Sequence, residues 1–315
     1  MIRRAGLLVL GAACAALVGA AKLAPLPAAA QWTARDHLLA ELTSEPGECL
    51  TAPADLPQEQ QIAIGAAAFR APLLLGGQAA RSGLTCNSCH RAGHDNPAFS
   101  YPGLSGAPGT ADVTASLLSS HRGDGVFNPR PIPNLSVDKT LLKIDQGAAS
   151  GQLERFILGL ITQEFDGPAP TPAVLAGLAS YVRALSPAAC RAPQAITLTS
   201  TIARIDAALD AAERSAASGD GATATLLISA ARSQMGLINE RYPAPQLDSR
   251  AAPLRRAAAS LGVIERQMRR DPVGALARLE LWRKAKPGWQ RPLQHAEARS
   301  LYNPARLAGR LAVRP

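Results

Sequence analysis

Aromatic side chains are scarce in this chain: 5 Phe, 4 Tyr and 3 Trp make up 4% of its 315 residues. Alanine is abundant instead, and it is the best helix former and a poor strand former. A β-sandwich is therefore disfavoured, and the expectation is an all-α protein of close-packed helices. The length is enough for one large or two ordinary domains. Methionine is rarer still. Met1, Met235 and Met268 are the whole complement, so none lies between Cys89 and Arg232. No internal repeat of the whole unit is visible.

The first thirty residues read as an export signal. "MIRR" is the positive start, "AGLLVLGAACAALVGAA" the apolar stretch, and "PLPAAA" offers Ala28 and Ala30 as an A-x-A cleavage site before Gln31. An uncleaved membrane anchor is the alternative, but the run is short, alanine-rich and followed by prolines. A lipoprotein role for Cys14 would put Gly11, a poor residue, three places before it. The paired arginines lack the flanks of a twin-arginine signal. The expected location is periplasmic or otherwise exported, with the signal cleaved.

Export favours disulfides. Cys14 leaves with the signal, and Cys86 and Cys89 belong to a motif of their own. That leaves Cys49 and Cys190 as a candidate pair, with two free buried thiols as the alternative.

Charge is uneven. Residues 1–190 carry 13 Lys+Arg against 14 Asp+Glu, a net −1, whereas residues 191–315 carry 20 against 10, a net +10. Outside the cytoplasm nucleic acid is an unsuitable target for this basic half. The partner expected from charge is an anionic protein or a lipid surface. A solvated helical surface with no partner is the plainer reading.

The organisation expected is a signal over 1–30, a lead-in over 31–56, a domain over 57–190 that contains Cys86 and Cys89, and a basic helical bundle and tail over 191–315. His37 falls in the lead-in, on a surface turn or helix. Pro57 suits the first turn of a helix over about 57–70, and Ile62, Gly65 and Phe69 share one face of it. A glycine on that face lets another helix come close. Residues 76–136 are dense in Gly, Pro, Ser, Asn and Asp, as in "GGQ", "PGLSGAPG", "RGDG" and "NPRPIPN". So long an irregular stretch usually wraps or binds something. Helix resumes near 150–165 and again over 171–185, where Thr171 is the N-cap and Pro172 the first position. Beyond 195, four helical segments follow, ending with "DPVGALARLELWRKA" under an Asp271 cap. They read as an antiparallel bundle with short loops, and after "KPG" a basic tail follows.

"TCNSCH", residues 85–90, carries the chemistry. C-x-x-C-H in an exported chain is the attachment signature of c-type haem. Two thiols add across the porphyrin vinyl groups as thioethers, and the next histidine falls beneath the iron. Cys86 and Cys89 are thus the anchors of one covalent haem c, and His90 is the proximal ligand. A C-x-x-C redox pair would sit in a thioredoxin-like βαβ setting, which this sequence lacks. A structural zinc site would want more Cys or His close by, and only His94 is near.

The helix with Gly65 and Phe69, the motif after it, and a later helix with Leu178 and Tyr181 together resemble the cytochrome c fold. "IGAAAFRAPLLLGGQAARSGLTCNSCH" more narrowly resembles the haem domains of the bacterial di-haem cytochrome c peroxidase and methylamine-utilisation group. The resemblance covers about 57–186. It implies that "NPRPIPNL" lies against the haem, with Pro131 or Pro133 near the proximal histidine. Those enzymes use two haems, and this chain has one C-x-x-C-H, so a self-contained di-haem peroxidase is not expected.

The other face of the iron is open to several readings. His121, in the loop expected to wrap the haem, is the candidate distal ligand. Met235 or Met268 reaching over from the bundle, Lys143, and an open iron are the alternatives. Two strong axial ligands make a single-electron carrier, whereas an open position admits peroxide. In that case His121 and Arg122 would serve as distal base and cation of a peroxidase-like enzyme fed by an external donor. A third reading makes the C-terminal bundle a structural or docking module.

Overall fold

The computed structural model describes residues 25–114 and 117–312. The apolar run of the expected signal and Cys14 lie outside the described residues. Ala28–Trp32, where the expected cleavage site falls, is a short 3-10 turn; Ala28 N donates to Glu240 Oε2 at 2.9 Å, and Trp32 is buried. No described helix is long and apolar enough to cross a membrane.

The protein is all-α, with two small antiparallel strand pairs among the described residues. The lead-in forms α1 (Leu38–Thr43) and strand β1 (Ser44–Glu45), and His37 is exposed just before α1. Helix α2 (Leu56–Ala68) starts where Asp55 accepts the Gln58 amide at 2.8 Å, with Pro57 in the first turn. Two short helices follow, α3 (Pro72–Leu75) and α4 (Gly77–Arg81), then α5 (Cys86–Cys89). The glycine pair "GG", a loop signal in the sequence, instead opens α4. Gly76 has φ +63°, and a Cβ there would lie 2.2 Å from Asp166 O, so only glycine fits the entry. Strands β2 (Thr110–Ala111) and β3 (Arg130–Pro131) pair within the long irregular stretch.

Helix α6 (Gln152–Gly159) widens into a π turn over Leu160–Glu164. Helix α7 (Pro172–Ala184) is capped by Thr171, whose hydroxyl accepts from Val174 N. Helices α2 and α7 cross where Gly65 meets Gly177; a Cβ on Gly65 would lie 2.0 Å from Gly177 O. The glycine on the Ile62–Phe69 face thus does what its position suggests. Strand β4 (Gln194–Ala195) returns to pair with β1, and the Cys49–Cys190 disulfide closes the same clasp.

Helices α8 (Leu198–Ala217), α9 (Gly221–Glu240), α10 (Asp248–Met268) and α11 (Pro272–Lys284) form the C-terminal bundle. Links as short as Ser218–Asp220 fold each helix back on the one before. Asp271 caps α11 by accepting from Gly274 N at 2.9 Å. Past "KPG" the chain does not trail off. Pro287 takes the first position of α12 (Pro287–Gln294), which buries Trp289 and Leu293, and α13 (Pro304–Ala312) buries Leu307.

One apolar core runs from Ile62, Phe69, Leu178 and Tyr181 into the bundle, where it includes Ile205, Leu227 and Trp289. A second, smaller cluster contains Trp32, Leu75, Leu84, Phe99, Leu104 and Ile132. The C-x-x-C-H segment sits between the two, with Cys86 packed against both.

Candidate functional site

Helix α5 is one turn long, and its boundaries are set by side chains. Thr85 N donates to Ser88 Oγ at 3.0 Å while the Thr85 hydroxyl accepts from the Ser88 backbone, a reciprocal cap. Cys86 and Cys89, three apart on that turn, therefore share a face. Both are half-buried free cysteines. Both pack against the smaller cluster, and Cys86 also touches the main core. Burial among apolar atoms pushes each thiol up to about 12, so both are protonated at neutral pH.

His90 ends the helix. Its Nδ1 donates to Pro133 O at 3.0 Å. A carbonyl can only accept, so Nδ1 carries the proton and Nε2 keeps its lone pair. Burial pushes the imidazole down to about 4, opposed by the Pro133 bond and by Asp95, which leaves the ring neutral near pH 7. Phe69 stands 6.5 Å from the His90 ring, and Tyr181 stands 5.0 Å from Phe69, by ring centroids. The α2–α7 crossing thus lays an aromatic file against the histidine.

Residues that the sequence did not single out hold this geometry. Asn87, between the two cysteines, accepts the Ala92 amide on its Oδ1 at 3.0 Å. That bond spans a turn in which Ala92 takes φ +51°, a left-handed conformation costing roughly 1–2 kcal/mol for a residue with a Cβ. At Gly93, φ is +86° and a Cβ would lie 2.5 Å from Leu185 Cδ1, so glycine is required. Asn96 donates to Ser88 O at 2.8 Å. Arg91 pairs with Glu41 at 2.7 Å and donates to the carbonyls of Glu41 and Ser44, which ties the motif to α1 and β1. No spacing rule marks Asn87, Arg91 or Asn96; each matters only through the partner that the fold brings to it.

The remaining sequence candidates have other partners or surroundings. His121 is an exposed loop side chain whose backbone amide donates to Ser119 Oγ, and Arg122 pairs with Glu164 at 2.6 Å. Lys143 is exposed. Met235 and Met268 are 1% and 0% exposed and fill the main core of the bundle, the usual use of methionine at helical spacing. His94 does not join His90; its Nε2 lies 3.3 Å from Cys49 Sγ and 3.0 Å from Gly47 O.

Two free thiols one helical turn apart and an imidazole with one unprotonated nitrogen are the donor types that a covalently anchored porphyrin iron would need. Comparison with protein-family models, with curated proteins and with solved structures finds no match to this chain.

Proposed function

We propose that this protein is an exported single-haem c-type cytochrome that transfers single electrons, and that it resembles the haem domains of the di-haem peroxidase and methylamine-utilisation group. The observation that carries the reading is the Nδ1–Pro133 hydrogen bond. It orients the His90 ring and leaves Nε2 unprotonated and able to act as a ligand, while two free thiols stand on the adjacent turn. Bound there, haem supplies an iron that cycles between two oxidation states one electron apart.

The chain's own residues do the rest. Cys86 and Cys89 would anchor the porphyrin. The Pro133 bond makes the His90 imidazole more basic toward a metal, as outer partners of ligating histidines generally do. Leu75, Leu84, Phe99 and Ile132 exclude water from the thiol side. The surplus of cations beyond residue 190 would steer an anionic redox partner, or hold the protein on an anionic surface.

The test is expression of the full chain with a c-haem maturation system. A mass increase of one haem and a pyridine haemochrome of the thioether type are expected. Both should vanish in the C86S/C89S variant, and a bare chain mass in the wild type would overturn the reading. The ferric spectrum of the loaded protein then addresses the sixth ligand. A low-spin signal that turns high-spin in H121A assigns His121. A high-spin signal in the wild type with rapid peroxide turnover assigns a peroxidase instead of a carrier.

A further inference from the structure

The clasp between the two ends of the N-terminal half is chemically lopsided. Cys49 is 0% exposed, whereas its disulfide partner Cys190 is exposed, past the last turn after α7. An incoming thiolate must reach the sulfur it attacks, so attack falls on Cys190 and Cys49 becomes the leaving group. A thiolate released inside a protein is costly unless a donor is waiting for it. One is. His94 Nε2 lies 3.3 Å from Cys49 Sγ and 3.0 Å from Gly47 O, and since the carbonyl can only accept, Nε2 carries its hydrogen. That N–H is shared between an oxygen and a sulfur while the disulfide is closed. Once Cys49 leaves as an anion, the same N–H makes a charge-assisted bond to it without moving far. Arg191, next to Cys190, adds positive charge that already reaches Glu48, the neighbour of Cys49.

We infer that Cys49–Cys190 is a thiol–disulfide exchange site in which Cys190 takes the incoming sulfur and His94 receives Cys49. The co-reactant is an accessible dithiol. Its first thiolate attacks Cys190 Sγ; the Cys49–Cys190 bond breaks, the electron pair stays on Cys49, and a mixed disulfide forms at Cys190. The second thiol of the same reductant then displaces Cys190 and closes into its own disulfide. Two electrons and two protons pass from the dithiol to the two cysteines, and nothing else is consumed.

The consequence is local. The Gly93–His94 turn also holds the segment after Pro133, since Gly93 O accepts from Leu135 N at 2.9 Å and from Ser136 Oγ at 3.2 Å. Exchange at the clasp therefore acts beside the carbonyl that orients His90. The inference goes beyond the electron-transfer reading and does not depend on haem being attached.

The test uses the full chain without denaturant, as wild type and in a C86S/C89S background, with glutathione as monothiol probe. Freed thiols are alkylated and peptides mapped, which reads each cysteine separately. Glutathione is expected on Cys190 and the alkyl group on Cys49. H94L should slow the reaction about tenfold, the worth of one hydrogen bond to a charged group. H94Q, which keeps an N–H donor, should restore most of the rate. Glutathione on Cys49 or equally on both sulfurs, an H94L rate equal to wild type, or no reaction until denaturant is added would each overturn the proposal. If H94L does not fold by circular dichroism, the site of the adduct on wild type decides alone.

Discussion

At Tyr181 a buried hydroxyl joins an ion pair of two half-buried side chains, Glu48 and Arg70. It donates to Glu48 Oε1 at 2.7 Å, and Arg70 donates to the same oxygen at 2.8 Å. Burial raises the Glu48 carboxyl, but Arg70's charge and the two hydrogen bonds outweigh it, so the group ends below its ordinary value. Burial likewise pushes the Tyr181 phenol up. Removing the hydroxyl leaves that carboxylate short of a donor. We expect Y181F to lower the unfolding free energy by about 1.5 to 3 kcal/mol, the range for a hydrogen bond to a charged group, read from denaturant midpoints at constant slope. The ring's contact with Phe69 survives in this variant, so the loss isolates the hydroxyl. At this scale the sequence already marked Cys86, Cys89, His90 and Phe69, because each belongs to a local spacing. Glu48 and Arg70 had no such signal; they are 22 positions apart and meet only because α2 ends beside the lead-in.

Among the elements, the α2–α7 crossing sets the site. Gly65 and Gly177 let two backbones touch, and this brings Phe69 and Tyr181 into file behind His90. We expect G65A to cost about 1 to 3 kcal/mol or more, since its Cβ has a carbonyl and not a flexible side chain to displace. A melting temperature equal to wild type would show that the crossing is looser than this contact implies. Lys139 makes a second tie. Its ammonium donates to Leu135 O at 3.1 Å and to Val182 O at 2.9 Å, joining the segment after Pro133 to α7. Burial pushes Lys139 down to about 8. In the unfolded chain lysine titrates near 10.4, so between about pH 8 and 10 the unfolded state binds more protons. Stability contributed by this group should therefore rise with pH across that window, and the burial penalty is fully present below it. Denaturation of wild type and K139M at a series of pH values checks the sign. Wild type should gain stability relative to K139M as pH rises, and a relative loss would contradict the assignment.

Across the whole molecule, the largest apolar cluster among the described residues joins the N-terminal helices to the bundle, and Arg204 of α8 pairs with Glu45 of β1 over the same boundary. We expect one cooperative unfolding transition reported alike by circular dichroism and by tryptophan fluorescence. Two separate transitions would mean that the halves are energetically independent. Charge acts at this scale as well. Beyond residue 190 the net charge is +10, and many of its arginines, among them Arg256, Arg266, Arg270 and Arg278, are exposed. If these cations steer an anionic redox partner, the second-order electron-transfer rate should fall as salt is raised from about 0.01 to 0.5 M, as the screening length shortens from about 30 Å to a few ångströms. A salt-independent rate would leave the basic half without this role.

The sequence alone determined the helical class, the caps at Thr171 and Asp271, the glycine-marked helix face and the identity of the motif residues. All of these depend on neighbours within a turn or two, where spacing and side-chain type are sufficient. Tertiary structure alone decided which carbonyl orients His90, that His94 belongs to the Cys49–Cys190 clasp, and that the residues after Lys286 fold back as α12 and α13. His90 and Pro133 are 43 residues apart, and His94 and Cys49 are 45 apart. Contacts over such separations leave no periodic trace in the chain, because packing and not local propensity selects them.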